Sequence, residues 1–427
     1  MPSLPPRAMS DYCVMGGCRW RGPYSGRDNR EMLTMKSVFA RWVSIATLTA
    51  AGMTLSACSG GASENEAAGD VVTTAQQQAG PLYPDYYPAD YAKLVEDSKK
   101  EPELLVYSNI AEYNWREILN GFKRKYPWVK VSALDIGPGE AFERYYSETS
   151  ANKKTADLIV SGAPDAWQRF VTNHEQAEYV SPESSKLPDW SRPFPGLYTL
   201  ATDPMIIIYN KMLFKPSEYP ESAKQLAAMA KADPARFRNR LTTYDASSHS
   251  FAYAIHWSVV DHGKPSGWSL MEQLGPVTRP ESGGSTMLDK VMGGEYLAAF
   301  YTSGITVFPR MKDPGRDRIL GWSLPKDGTP MMLRGMAVTK AARSPNSARL
   351  MLDYMLSHEG QVAAGQGGMT PYRPDVAANE VPFLTYGAIA ERIGGEQNMV
   401  RIGYEPAMVT EYKPFIARWN ALFKTKR

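Results

Sequence analysis

Between residues 91 and 172 the apolar positions alternate between two spacings. Leu94 and Val95 stand among charged neighbours in Tyr91 to Lys100, which predicts a helix ended by Pro102. Leu104 to Tyr107 is a continuous apolar run, read as a buried strand, that leads into Ser108 and Asn109. Ile118, Leu119 and Phe122 recur at helical spacing within Trp115 to Tyr126, and Pro127 breaks that helix. A strand over Val129 to Leu134, a Gly137-Pro138-Gly139 turn opening a helix at Glu140, a strand over Ala156 to Val160 and a helix near Pro164 complete the run. Strands that alternate with helices argue for parallel strands joined by crossover helices.

The same logic organises the stretch from Glu281 to Ser303. Met287, Leu288, Val291 and Met292 are spaced as one helix face, and Gly293-Gly294 predicts its end. Glu295 to Tyr301 then reads as a buried strand ending at Thr302, Ser303 and Gly304. Around it, Leu226, Met229 and Ala230 mark a short helix, Arg240 to Tyr244 an extended lead into Asp245 to Ser250, and Phe251 to Val260 a helix. Thr306 to Pro309, Ile319 to Leu324 and Met331 to Val338 read as strands returning to the first half. Asn346 to Ser357 is an amphipathic helix, and helices from Pro382 onward are expected to cover the second half.

Composition narrows the function classes. With 22% charged and 43% hydrophobic residues in 427, the chain has the make-up of a soluble globular protein of two or three domains. A net charge of +3, with no Lys/Arg stripe interleaved with aromatics, gives no reason to expect nucleic acid. The cysteines are Cys13, Cys18 and Cys58, so the body beyond them has no disulfide framework, thiolate metal cluster or catalytic cysteine. Walker A, GxSxG and HExxH motifs are absent, which leaves no catalytic residue to nominate.

Lys36 and Arg41 precede the apolar run Val43 to Leu55, which is too short for a membrane anchor but suits a signal-peptide core. Met35 is the expected start. Ser59 to Pro81 is small, polar and low in complexity, a tether with a root-mean-square reach of about 25 Å.

Ligands of open α/β sheets lie beyond the carboxyl ends of strands, and free N–H groups at helix starts favour anions. Ser108 with Asn109, and Ser161 with Gly162, occupy such ends; each serine alone also suits ordinary turn chemistry. Gly283, Gly284 and Ser285 could hold an anion at a helix start, or Ser285 could simply cap its helix. Arg334, in a strand before Gly335, is the preferred cationic ligand contact, with an interlobe or surface salt bridge the equal alternative; Arg373 is a weaker candidate. His249 either donates to an anion or caps the following helix.

Taken in order, Tyr91 to Ser108, Gly121 to Pro127, Ala156 to Gly162, Gly196 to Tyr198 and Ile206 to Asn210 resemble extracellular solute-binding proteins of ABC importers, of the ferric-iron-binding-protein type, over about Tyr91 to Val376. Leu55-Ser56-Ala57-Cys58 resembles the lipoprotein box, which implies lipidation at Cys58 and a body held at the membrane in the periplasm or on the cell surface. The family resemblance implies an α/β, two-lobed periplasmic-binding-protein-like fold, each lobe a mostly parallel sheet flanked by helices and joined by crossing strands. Its expected parts are a leader (1–57), a lipidated tether (58–81), the first lobe (82–200), the second (201–305), a return to the first (306–378) and C-terminal helices on the second (379–427). It further implies a small-molecule solute in the cleft, a permease and its ATPase as partners, a monomer, and no enzyme activity.

By the same resemblance Ser248 falls on an anion-holding serine, with His249 in place of a glycine. The iron binders' His, Glu and Tyr-Tyr ligands fall here on Asn109-Ile110-Ala111, Ser161-Gly162-Ala163 and about Gly304-Ile305, so the metal half is missing. Tyr301 remains beside that place as a ligand contact or a packing aromatic. The expectation is a site for a small organic anion (phosphonate, phosphate ester or carboxylate), without metal or cofactor. An iron carrier with altered ligands, a ligand-binding sensor component and an enzyme on this fold are the alternatives.

Overall fold

The structure is a computed structural model that describes residues 82–424. Met35, Cys58 and the tether lie outside the described residues.

From the first described residues the chain alternates as its apolar spacing predicts: α1 (Tyr91–Ser98), β1 (Leu104–Ser108), α2 (Glu112–Lys125), β2 (Val131–Asp135), α3 (Glu140–Ser150), β3 (Leu158–Ser161) and α4 (Pro164–Thr172). β1 pairs in parallel with both β2 and β3. The helical stripe of α2 buries Trp115, Ile118 and Phe122 against this sheet, and a fully buried side chain of that kind contributes about 1.5–3 kcal/mol. The long strand β4 (Tyr198–Asn210) follows, buried at every position.

The second half comprises α5 (Ala223–Ala232), α6 (Pro234–Phe237), β5 (Leu241–Thr242), α7 (Ser250–His262), α8 (Gly267–Leu274), α9 (Gly284–Met292), β6 (Ala298–Ser303), the short α10 (Gly304–Val307) and α11 (Arg316–Ile319), and β7 (Leu320–Ser323). The chain closes with β8 (Thr329–Val338), α12 (Pro345–Leu356), α13 (His358–Gln366), α14 (Tyr386–Arg392), β9 (Met399–Ile402) and α15 (Ala407–Phe423).

The strand order β2-β1-β3-β8-β4-β6-β5, with β7 on β4 and β9 on β8, makes two lobes out of one path. β4 is shared between them. Its first part, Tyr198 to Pro204, runs antiparallel to β8, which in turn pairs with β3. Its second part pairs with β6 and β7, and β5 lies parallel on β6. Each lobe therefore has parallel pairs flanked by helices, and the antiparallel pairs occur where strands cross from one lobe to the other.

Several local expectations change. Thr306 to Pro309 is not a strand: α10 begins at Gly304 because the buried Asp203 carboxylate accepts the Ile305 N–H at 3.2 Å, which holds the chain in a helical turn. β7 does not return to the first lobe but pairs with Ile207 to Asn210, so the return starts with β8. β9 was not foreseen, since four residues carry too little periodicity to mark a strand. Finally α9 starts at Gly284 with Gly283 as its N-cap, so Ser285 lies inside the helix and caps nothing. Gly294, at φ +77°, ends that helix as its position predicts.

Candidate functional site

At the strand ends between the lobes lies a cleft of about 390 Å³. Its floor is the crossing pair itself. Arg334 of β8 donates from Nη2 to Asp203 Oδ2 of β4 at 2.6 Å and from Nη1 to Asn109 Oδ1 at 3.2 Å. Asp203 also accepts the Ser303 hydroxyl at 2.6 Å, so one carboxylate ties both crossing strands to the carboxyl end of β6. The guanidinium lies 4.8 Å over the Phe251 ring. Arg334 is 4% exposed, and its Nε has no hydrogen-bond partner. A buried ion pair of this kind specifies geometry more than it adds stability, because both ions have lost their hydration.

The first-lobe wall is formed by Asn109, Asp135 and the Gly137-Pro138 turn. Asn109 Oδ1 also accepts the Gly162 N–H at 3.1 Å, which pins the ends of β1 and β3 together. Asp135 faces the cleft from the end of β2; loss of hydration pushes its pKa up, and the nearby Arg334 opposes that only in part. The second-lobe wall holds Tyr244, His249, Gly283, Gly284 and Thr306. A Cβ built on Gly284 would lie 2.5 Å from Tyr244 Oη, so glycine is what lets the start of α9 approach that ring. No side chain caps α9, which leaves its first N–H groups without an intrahelical partner.

The residues nominated from sequence divide into two groups. Asn109, His249, Gly284 and Arg334 line the cleft together. His249 is the N-cap of α7: its Nδ1 accepts the Ala252 N–H at 3.2 Å, so its Nε2 carries the hydrogen toward the Ser282 carbonyl at 2.9 Å. Gly162 stands just behind, through its bond to Asn109.

The others turn away. Ser108 is fully buried and its Oγ accepts from the Ile110 N–H and Trp115 Nε1, while Ser161 Oγ donates to the Pro138 carbonyl at 2.8 Å; both brace the wall from behind. Ser248 is exposed and donates to the Asp245 carbonyl. Ser285 is exposed too and accepts from Arg310 at 3.0 Å. Tyr301 is 2% exposed in the core of the second lobe, with φ +59°. Arg373 is far from this cleft in its bonding: it pairs with buried Glu183 and, at 2.7 Å, with Asp375.

Sequence reading passed over Asp135, Asp203 and Tyr244. Asp203 had a signal, as the lone charge in the apolar run of β4. Asp135 had another, for it ends β2 as Ser108 ends β1, and the two are register partners. Among the described residues no group of three or more His, Cys, Asp or Glu side chains is placed to hold a metal ion, and no helix is long and apolar enough to cross a membrane.

Two lobes on crossing strands with a polar cleft over the crossing define the periplasmic-binding-protein class of fold. The profile of the bacterial extracellular solute-binding protein family matches residues 107–362, and the chain belongs to that family. This agrees with the resemblance carried by Tyr91 to Val376. Among solved structures it is similar to the substrate binding protein of an ABC transporter from Agrobacterium tumefaciens, with 23% identity over 76% of this chain and 96% of that one and a TM-score of 0.67. It is also similar to iron-bound HitA from Pseudomonas aeruginosa (16% identity, 72% and 97% coverage, TM-score 0.58). A third is AfuA from Actinobacillus pleuropneumoniae, solved with fructose-6-phosphate (18%, 76% and 99%, TM-score 0.56). None of the curated protein sequences matches it.

Proposed function

We propose that this protein is the capture component of an ABC importer, held at the membrane by a lipid on Cys58, and that it takes a small organic anion into the interlobe cleft for delivery to a permease and its ATPase. The observation that carries the anion reading is the buried Arg334 with its unpartnered Nε, in the same cleft as the uncapped start of α9 at Gly283-Gly284. Both features supply positive potential to the cleft, the arginine from a buried position, and both are built into regular secondary structure. Ferric-binding and sugar-phosphate-bound proteins share this fold, so fold likeness alone does not choose between them. This reading keeps the lobe and tether boundaries expected from the sequence, with the return to the first lobe taken to begin at β8.

A ligand that binds only the folded state raises the unfolding temperature, so a thermal-shift screen of the purified protein tests this. Stabilisation by phosphonates, phosphate esters or carboxylates is the expected result. Stabilisation by ferric citrate alone overturns the anion reading, and turnover of ester substrates without stabilisation by any solute overturns the binding role. Permease and ATPase genes beside this one favour import over sensing.

A further inference from the structure

The charges around the cleft are not all paired. Its lining residues carry one cation, Arg334, and one carboxylate, Asp135. Beneath Arg334 lies a second carboxylate, Asp203, already in contact at 2.6 Å. His249 has no free ring nitrogen for a ligand, because Nδ1 accepts the Ala252 N–H and Nε2 lies 2.9 Å from the Ser282 carbonyl. Two carboxylates thus share one guanidinium at the cleft floor and first-lobe wall, and the next cation, Arg310, is already engaged by Ser285 and Asp289 of α9.

Asp135 is the carboxylate left unpaired. Arg334 spends its Nη1 and Nη2 on Asn109 and Asp203, whereas the Asp135 carboxylate has no hydrogen bond or ion pair to any described residue. Neighbouring strand ends do not behave in this way: the Ser108 and Ser161 hydroxyls are each bonded within the protein. An unpaired carboxylate in a cleft that closes on its ligand loses hydration and gains nothing unless the ligand brings a partner.

We infer that the solute is a zwitterion, with its anionic group at the α9 start beside Arg334 and an ammonium group on Asp135 of the opposite wall. This rests on the anion-capture reading and adds to it the other end of the ligand. Asp135 ends a first-lobe strand and Gly283-Gly284 starts a second-lobe helix, so such a solute ties the two lobes together through its own two charges. A purely anionic solute meets the α9 start but leaves Asp135 uncompensated and repelling it.

The test uses matched sets on the intact protein: 2-aminoethylphosphonate, 2-hydroxyethylphosphonate and ethylphosphonate; β-alanine, 3-hydroxypropionate and propionate; and the protein amino acids beside their 2-hydroxy and deaminated counterparts. Thermal shift ranks the sets and calorimetry follows the best. The expected result is that amino members bind about tenfold or more tighter than hydroxyl and deaminated members, the scale of one charged hydrogen bond. Asp135→Asn is expected to remove that preference, and because this side chain is exposed and bonded to nothing in the fold the variant is expected to keep the wild-type melting temperature without ligand. Equal or tighter binding of hydroxyl or deaminated members overturns the zwitterion and leaves anion capture standing. Amino preference that survives Asp135→Asn also overturns it. No shift with any amino member overturns it as well, and if the deaminated anions are equally silent the anion reading falls with it.

Discussion

Asp203 Oδ2 and Arg334 Nη2 meet at 2.6 Å across the two strands that join the lobes, with side chains 0% and 5% exposed. Because the same carboxylate receives the Ser303 hydroxyl and the Ile305 N–H, the charge that steadies the arginine also steadies the second-lobe wall.

Asp203→Ala leaves Arg334 buried without its counter-ion, and the expected loss is about 3–5 kcal/mol of unfolding free energy. Chemical denaturation at neutral pH measures it. A loss under about 1 kcal/mol shows that water already reaches the guanidinium.

Gly284→Val places its first carbon 2.5 Å from Tyr244 Oη and 3.3 Å from Thr306 Oγ1, at the mouth of the uncapped helix. Both neighbours are side-chain ends that can shift, so the fold is expected to survive while solute affinity falls about tenfold or more. Ser285→Ala, one residue on, is expected to leave affinity within about twofold, since that exposed hydroxyl serves Arg310 rather than the cleft. Calorimetry on both variants checks the contrast; equal losses would put Ser285 back at the ligand.

Asp353 is buried where its Oδ2 accepts the hydroxyls of Tyr91 at 2.8 Å and Tyr179 at 2.6 Å, and burial pushes its pKa up to about 7. The folded state therefore binds its proton more readily than the unfolded chain. Its contribution is complete below about pH 4 and is lost as pH rises through about 7. Asp353→Asn removes this dependence, so the stability difference between variant and wild type is expected to change by up to about 1.4 kcal/mol per pH unit in that window. A difference that stays flat from pH 4 to 8 refutes it.

His256 carries the opposite sign. It is wholly buried, with Nε2 at 2.9 Å from the Tyr244 carbonyl, and burial pushes its pKa down to about 3. The unfolded chain takes up this proton first, so the stabilising contribution is present above about pH 6.5 and is lost as pH falls toward 3. In NMR its imidazole is expected not to titrate between pH 5 and 8, and a midpoint near 6.5 would show that solvent enters the core behind Tyr244.

Much of the fold was legible because its signals are local. Helical spacing in α2 and α9, the apolar runs of β1 and β4, and Gly294 at the end of α9 each follow from a few neighbouring residues. The cleft was less legible, since its chemistry depends on what each side chain meets across the fold. Ser108 and Ser161 stand at the right strand ends, yet their short hydroxyls are absorbed nearby, Ser108 by a backbone and an indole N–H and Ser161 by the Pro138 carbonyl. Asp135 stands at the equivalent end with a carboxylate that nothing nearby absorbs. Arg334 forms the interlobe ion pair and also lines the cleft, so the salt bridge does not remove it from the place where a ligand contact is proposed.

β8 lies between β3 and β4 in the sheet, although it is made long after both. Leu158 must wait for Val338, and Tyr198 for Met336, before the first lobe has its inner strand. Contacts so distant along the chain form slowly. During synthesis the first three hundred or so residues consequently present an incomplete sheet with open strand edges, and both lobes gain their shared inner strand only after β8 has been made, about four-fifths of the way along the chain.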